Sequence, residues 1–146
     1  MRDIDAAVSG HTAAAPERVL ALVNDVEAYP SWYAEGVKRA EVRERDSEGN
    51  ATKVFTVLAL REGPIQRDFD MEMSVNRGEG WIKLSRLPKS LDDEEQFAVK
   101  FSVSPGTELG VSFNARLSIP AWLPLGNLPQ LIPRGFLDAA LAKLAE

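Results

Sequence analysis

The chain has no cysteine and a single histidine in its 146 residues. The first absence excludes a disulfide framework, a thiolate nucleophile and a zinc–thiolate centre. The second leaves a nucleophile–histidine–carboxylate triad with one candidate, His11. His11 falls on the opposite parity from Ile4, Ala6 and Val8, so it reads as a solvated strand residue facing outward. Metal binding would then rest on carboxylates alone. The run Asp92-Asp93-Glu94-Glu95 has no ligand spacing of a known cation loop and reads as a charged loop entering a strand. No catalytic residue, no metal site and no cofactor is assigned.

Positive charge is also in short supply. Seventeen Lys and Arg face 22 Asp and Glu, a formal net charge of −5. Such a balance repels phosphate backbones, so nucleic acid is not an expected partner, and it gives no help in binding anionic lipid. Long apolar runs are missing as well. The most apolar stretch, Ile119 to Pro133, is too short to span a bilayer as a helix and is broken by Pro120, Pro124, Pro129 and Pro133. Met1-Arg2-Asp3-Ile4-Asp5 lacks the apolar run of a signal peptide. The expectation is a soluble, cytoplasmic protein with one domain over residues 1–146. A chain of that length buries roughly 70% of its unfolded surface, enough for a true core.

What is there begins with alternation. Ile4, Ala6 and Val8 alternate with polar or small neighbours and predict a first strand. Pro16 suits the first turn of a helix, and Val19, Leu20, Val23 and Val26 recur at helical spacing. Pro30 is expected to end that helix, with Ser31 capping a second short one that holds Trp32 and Tyr33. From Val37 the period is two. Ala40 and Val42 alternate with charged residues, and Ser47-Glu48-Gly49-Asn50 is a hairpin turn. Lys53 to Leu60 is more continuously apolar, as if both faces were partly covered. Gly63-Pro64 marks the next turn. Ile65, Phe69, Met71, Met73 and Val75 then share one face opposite Gln66, Asp68, Asp70, Glu72 and Ser74. Further strands are read at Trp81–Leu87, Phe97–Val103 and Leu109–Ile119, with a turn at Ser104-Pro105-Gly106-Thr107.

Helical spacing returns at the C-terminus, where Leu128, Leu131, Ile132, Phe136, Leu137, Ala140, Leu141 and Leu144 form one broad stripe. Asn127 is the candidate cap. Pro133 would cost about 3 kcal/mol inside a helix, so the helix either kinks there or starts there. The order is one strand, two short helices, six strands and one long helix. Tight turns join strands antiparallel, and the sheet's apolar face has one long amphipathic element to cover it. A cavity between that helix and a strongly curved sheet is the natural place for a ligand.

This order, with Ala15-Pro16, the stretch Asp25-Val26-Glu27-Ala28-Tyr29-Pro30-x-Trp32 and a terminal helix, resembles the START-like helix-grip (SRPBCC) superfamily. Within it the chain looks most like the coenzyme-Q-binding, polyketide cyclase/dehydrase and lipid-transport branch, over essentially its whole length. The resemblance implies an α+β helix-grip fold: a seven-stranded curved antiparallel sheet around a long C-terminal helix, with two short helices after strand 1 and a deep apolar pocket. It implies that the second short helix lies over the pocket entrance. Members of the superfamily bind lipids, quinones and polyketides, and a few are enzymes or ribosome-associated toxins. Fold alone does not settle activity.

The candidate ligand-binding residues are Trp32, Tyr33, Arg67, Phe69, Met71, Met73, Glu95, Phe97, Phe101, Phe113, Phe136 and Ala140. Most of them have a plainer reading beside the ligand-binding one. Trp32 and Tyr33 either line the pocket or glue the second helix to the sheet edge. Met71 and Met73 either adapt to varied apolar ligands or fill the core. Phe97, Phe101 and Phe113 either stack on a ring or simply pack. Arg67 shares parity with Phe69 and Met71, and a buried unpaired guanidinium would be very costly. It is therefore paired with Glu95, placed at the pocket mouth, or set against a polar ligand group; the plain alternative has it reach water from a strand end near Pro64. Ala121-Trp122-Leu123-Pro124-Leu125 either folds back on the sheet or makes transient membrane contact.

The leading function is binding or carrying a hydrophobic small molecule: a lipid, an isoprenoid quinone or a polyketide-like compound. The first alternative is a polyketide aromatase/cyclase-type enzyme, which needs an acid or base inside the pocket; Arg67, Tyr33 and Glu95 are its candidates. The second is a protein or ribosome interaction module using a basic stripe of Lys38, Arg39, Arg43 and Arg45. The balance favours a binder over an enzyme. Oligomeric state is not legible.

Overall fold

The computed structural model describes residues 1–62 and 65–146. In chain order the elements are β1 (Arg2–His11), α1 (Pro16–Asn24), a 3-10 turn (Val26–Ala28), α2 (Tyr29–Trp32), β2 (Val37–Arg45), β3 (Ala51–Glu62), β4 (Ile65–Gly78), β5 (Trp81–Arg86), β6 (Gln96–Val103), β7 (Glu108–Leu117) and α3 (Leu128–Leu144). The seven strands form one sheet in the order β1-β7-β6-β5-β4-β3-β2, and every neighbouring pair is antiparallel. β1 and β2 are thus its two edges, and α1 and α2 make the crossing between them. This is the α+β helix-grip architecture. Among the described residues, no helix is long and apolar enough to cross a membrane.

Period-two alternation sets the faces. On β4, Phe69, Met71, Met73 and Val75 are buried while Asp68, Asp70 and Glu72 are exposed. β7 alternates without a break, burying Leu109, Val111, Phe113, Ala115 and Leu117. Against this face α3 buries Leu128, Pro133, Phe136, Leu137, Ala140 and Leu144. β3 covers both faces. Val54, Thr56 and Leu58 are buried inward. On the other side Phe55 is half-buried under the guanidiniums of Arg39 and Arg43, 5.3 and 4.9 Å from its ring centroid. The buried Thr56 hydroxyl donates to the Met71 carbonyl at 3.4 Å, so no polar group is stranded there.

Local expectations hold in part. Pro16 opens α1 as read from the sequence. Pro30 does not end a helix; it sits in the first turn of α2, and the break falls at Asp25, where φ −88° and ψ 76° leave the helical region. The missing N–H of proline is harmless in a first turn, so Pro30 starts the second helix. Ser31 lies inside α2 and donates to the Ala28 carbonyl at 2.5 Å; it is not a cap. α3 starts at Leu128 and runs through Pro133. Buried side chains on both sides of the proline hold one continuous helix despite the lost bond. Asn127 occupies the N-cap position without a side-chain cap bond; its carbonyl accepts from Gln130 and Leu131. The last strand stops at Leu117, short of Ile119. The expected Gly63-Pro64 turn and the facing of the Ile65 side chain lie outside the described residues.

Candidate functional site

A cavity of about 350 Å³ opens between the end of α2, the β2–β3 edge of the sheet and the first half of α3. The size is that of a small-molecule site. Its apolar wall is Leu58, Ala59 and Leu60 from β3, Phe69 and Phe97 from β4 and β6, and Leu131, Ile132 and Phe136 from α3. Its polar groups are Tyr33, Glu35, Lys38 and Arg61. β3 passes beside β4 with Leu58 opposite Phe69, so neighbouring inward positions put an aliphatic and a ring on one wall.

Tyr33 is the C-cap residue of α2, where the chain leaves the helix for β2. Its ring stacks on Trp32 at 6.4 Å and meets the edge of Phe136 at 5.0 Å. Two glycines make room for it. A Cβ on Gly36 would stand 2.2 Å from the ring's Cζ, and one on Gly135 would stand 2.0 Å from the hydroxyl oxygen. Burial pushes the phenol pKa up, and the Glu35 and Asp138 carboxylates push it further, so the hydroxyl keeps its proton. Among the described residues that hydroxyl has no hydrogen-bond partner.

Tyr33, Phe69, Phe97 and Phe136 of the candidate set line this cavity. Met73, Phe101, Phe113 and Ala140 lie in the packed interior instead. They act one layer behind, with Phe113 edge-on to Phe97 at 5.0 Å and Phe101 edge-on to Phe136 at 5.6 Å. Trp32 does not line the cavity. It packs edge-on against buried Tyr29 at 5.1 Å, and its indole N–H is buried without a partner among the described residues. Tyr29 itself donates to the Val23 carbonyl at 2.5 Å, and burial drives its pKa far up. Leu58, Leu60, Leu131 and Ile132 were within reach of sequence reasoning through their parity and helical stripe. Glu35, Lys38 and Arg61 were not, because nothing local marks a rim position.

Arg67 and Glu95 do meet, Nη2 to Oε1 at 3.2 Å, but beside a second, far smaller crevice of about 40 Å³. That is room for about one water. Phe69 and Phe97, with centroids 6.0 Å apart, border both spaces, and Met71 borders the small one. The Arg67 guanidinium lies 4.2 Å over the Phe69 centroid. Burial pushes the Glu95 pKa up, but the Ser118 N–H and then Arg67 outweigh it, and the net shift is downward. Next door, Arg86 donates to Asp93 Oδ2 and to the Glu95 carbonyl, both at 2.7 Å. Asp93 also accepts from the Lys89 and Glu95 N–H groups at 2.8 and 3.1 Å. The Arg86 bond first, then these N–H groups, hold its carboxyl well below the usual range. The acidic run is therefore a charged loop entering β6, as read, with Asp93 as its knot. Among the described residues no group of His, Asp and Glu is placed to hold a metal.

Two other surface features can be placed. His11 is exposed on β1 and lies 3.6 Å from Glu108. In the apolar loop, the Leu123 and Pro120 carbonyls accept from Arg2 at 2.5 and 3.2 Å, and Leu125 packs on the core, while Trp122 is 80% exposed. Arg39, Arg43 and Arg45 are each ion-paired to a glutamate.

No family model matches the chain. No curated protein matches it either. Solved structures do. A START superfamily protein from Mycobacterium smegmatis superposes with a TM-score of 0.66 at 20% identity, over 99% of this chain and 94% of that one. The Zhui aromatase/cyclase from Streptomyces sp. R1128 gives 0.61 at 14% identity, over 99% and 93%. Major latex-like protein 151 from Panax ginseng gives 0.61 at 7% identity, over 98% and 94%. At such identities the likeness is one of fold, and the fold is START-like helix-grip.

Proposed function

We propose that this START-like domain, residues 1–146, binds or carries a hydrophobic small molecule in the cavity between sheet and α3. The observation that carries the reading is an open space of about 350 Å³ walled by Leu58, Phe69, Phe97 and Phe136. Lipid, isoprenoid quinone and polyketide-like compounds are the classes considered, and burial at about 25 cal/mol per Å² supplies the affinity. The solved structures of like fold include proteins named for START and aromatase/cyclase, which is in keeping with an apolar guest.

The polar groups favour a binder over a cyclase. Of Arg67, Tyr33 and Glu95, Tyr33 alone borders the main cavity, and Glu95 is tied to Arg67 in its charged form. An interaction module with a free basic stripe is disfavoured by the ion pairs of Arg39, Arg43 and Arg45. The neutral fluorophore N-phenyl-1-naphthylamine tests the container reading. We expect saturable one-to-one binding, weakened about tenfold (1.4 kcal/mol) by Leu58→Trp, which fills the cavity. Absence of saturable binding to the wild type overturns it.

We further propose that the Ala121–Leu125 loop touches membranes transiently while ligand passes. Its support is the exposed Trp122 on an anchored loop beside the N-terminus of α3. Wild type should sediment with phosphatidylcholine vesicles more than Trp122→Ser does; equal sedimentation removes the proposal.

A further inference from the structure

Resting on the container reading, we infer that the guest carries an uncharged hydrogen-bond acceptor of carbonyl type, and that the Tyr33 hydroxyl donates to it. The phenol is a donor in a half-buried cavity with no protein acceptor among the described residues. Water reaches the hydroxyl in the open cavity, and a guest that displaces that water leaves the donor unpaired unless it accepts the hydrogen bond itself. Its position is also held. The ring is wedged between Trp32 and Phe136, and the absence of a side chain at Gly135 leaves the space that the hydroxyl occupies. Phenylalanine would serve the ring packing equally well; what the oxygen adds is a positioned donor at the cavity.

Charge decides the kind of acceptor. The groups that act on the phenol are Glu35, from the α2–β2 link, and Asp138, from α3, and both are negative. The nearby cations are otherwise placed. Arg134 faces Asp138 at 4.0 Å, and Arg61 is tied to Asp68 at 2.6 Å. Lys38 borders the cavity without an ion pair among the described residues, yet it is not among the groups that shift the phenol. A carboxylate or phosphate brought to the hydroxyl would meet repulsion from the Glu35 carboxylate, which borders the cavity and has no ion pair among the described residues, with Asp138, already faced by Arg134, behind it. A ketone, quinone or ester oxygen would not, and it accepts the same hydrogen bond. The rings of Phe69, Phe97 and Phe136 around the rest of the space favour a flat apolar body.

Three probes of matched size separate the possibilities: 2-acetylnaphthalene, 2-ethylnaphthalene and 2-naphthoate, each displacing N-phenyl-1-naphthylamine. In the wild type the ketone should bind about three- to tenfold tighter than the hydrocarbon, the range of one net hydrogen bond. Tyr33→Phe should erase that preference and leave 2-ethylnaphthalene unchanged. Gly135→Ala, which puts a methyl where the hydroxyl lies, should erase it with the phenol still present. The naphthoate should bind more weakly than the ketone, and Glu35→Gln should narrow the gap. Ketone and hydrocarbon binding alike in the wild type, or a preference that survives Tyr33→Phe, overturns the inference while the container stands. Naphthoate binding tightest overturns the uncharged acceptor and points to Lys38. Failure of all three probes and the fluorophore to bind removes the container as well.

Discussion

Arg67 and Tyr33 both border a space on the apolar side of the sheet and both carry polar groups, but the two ends of that side treat them in opposite ways. At the Arg67 end, Arg67 is paired with Glu95 and Arg86 with Asp93, and about 40 Å³ of space is left. At the Tyr33 end, the phenol has no partner, and neither Lys38 nor Glu35 makes an ion pair among the described residues; about 350 Å³ is open. Phe69 and Phe97 stand between. Inward-pointing charge does not by itself mark a ligand site. A charge that is answered by the protein closes space, and a donor that is not answered leaves chemistry for a guest.

The strongest way to break the contrast is at the ring that supports the open end. Phe136 is buried, lines the cavity and touches Tyr29, Tyr33 and Phe101. Phe136→Ala should cost about 3–5 kcal/mol in urea unfolding, as large truncations in cores do. A loss below about 1 kcal/mol would mean that this wall is loosely packed and that the cavity is not held to one shape.

Acid separates the ends next. Asp93 and Glu95 have pKa values lowered by folding, so their stabilisation is present above the usual carboxylate range, about pH 4, and is lost as pH falls through the lowered folded values. Thermal melting followed from about pH 6 down to 2 should therefore show an acid limb. Asp93→Asn should lower Tm at neutrality and flatten that limb. An unchanged slope in the variant would show that the knot around Asp93 does not carry it.

The smallest expected effect sharpens the comparison most. Arg67 is 44% exposed, and Glu95 keeps its bond to the Ser118 N–H without it. Arg67→Ala should cost less than about 1 kcal/mol, as exposed ion pairs do. Affinity for N-phenyl-1-naphthylamine should stay within about twofold. A tenfold loss would join the two ends into one site, with Arg67 acting through the Phe69 ring beneath it.

How far the sequence reaches can be judged from particular residues. Strand alternation on β4 and β7 identified the buried face, because the side-chain period of a strand is a local property. The partnership of Arg67 with Glu95 was also legible, since parity placed both on the same side. The start of α2 was not. Pro30 is read locally as a terminator, yet it opens the next helix once the chain has already turned at Asp25. Nor was the rim formed by Glu35, Lys38 and Arg61 with the start of α3, because its members meet only when α3 crosses the sheet edge.

By itself, then, the order of residues determined the elements, which face of each is apolar, and hence a sheet that must clasp its last helix. Only tertiary structure decided which inward residues pack solid and which border an opening. Burial follows from a residue's own periodicity, whereas a cavity is the volume that distant segments fail to fill. Gly36 and Gly135, far apart in the chain, together leave the space in which the Tyr33 hydroxyl lies.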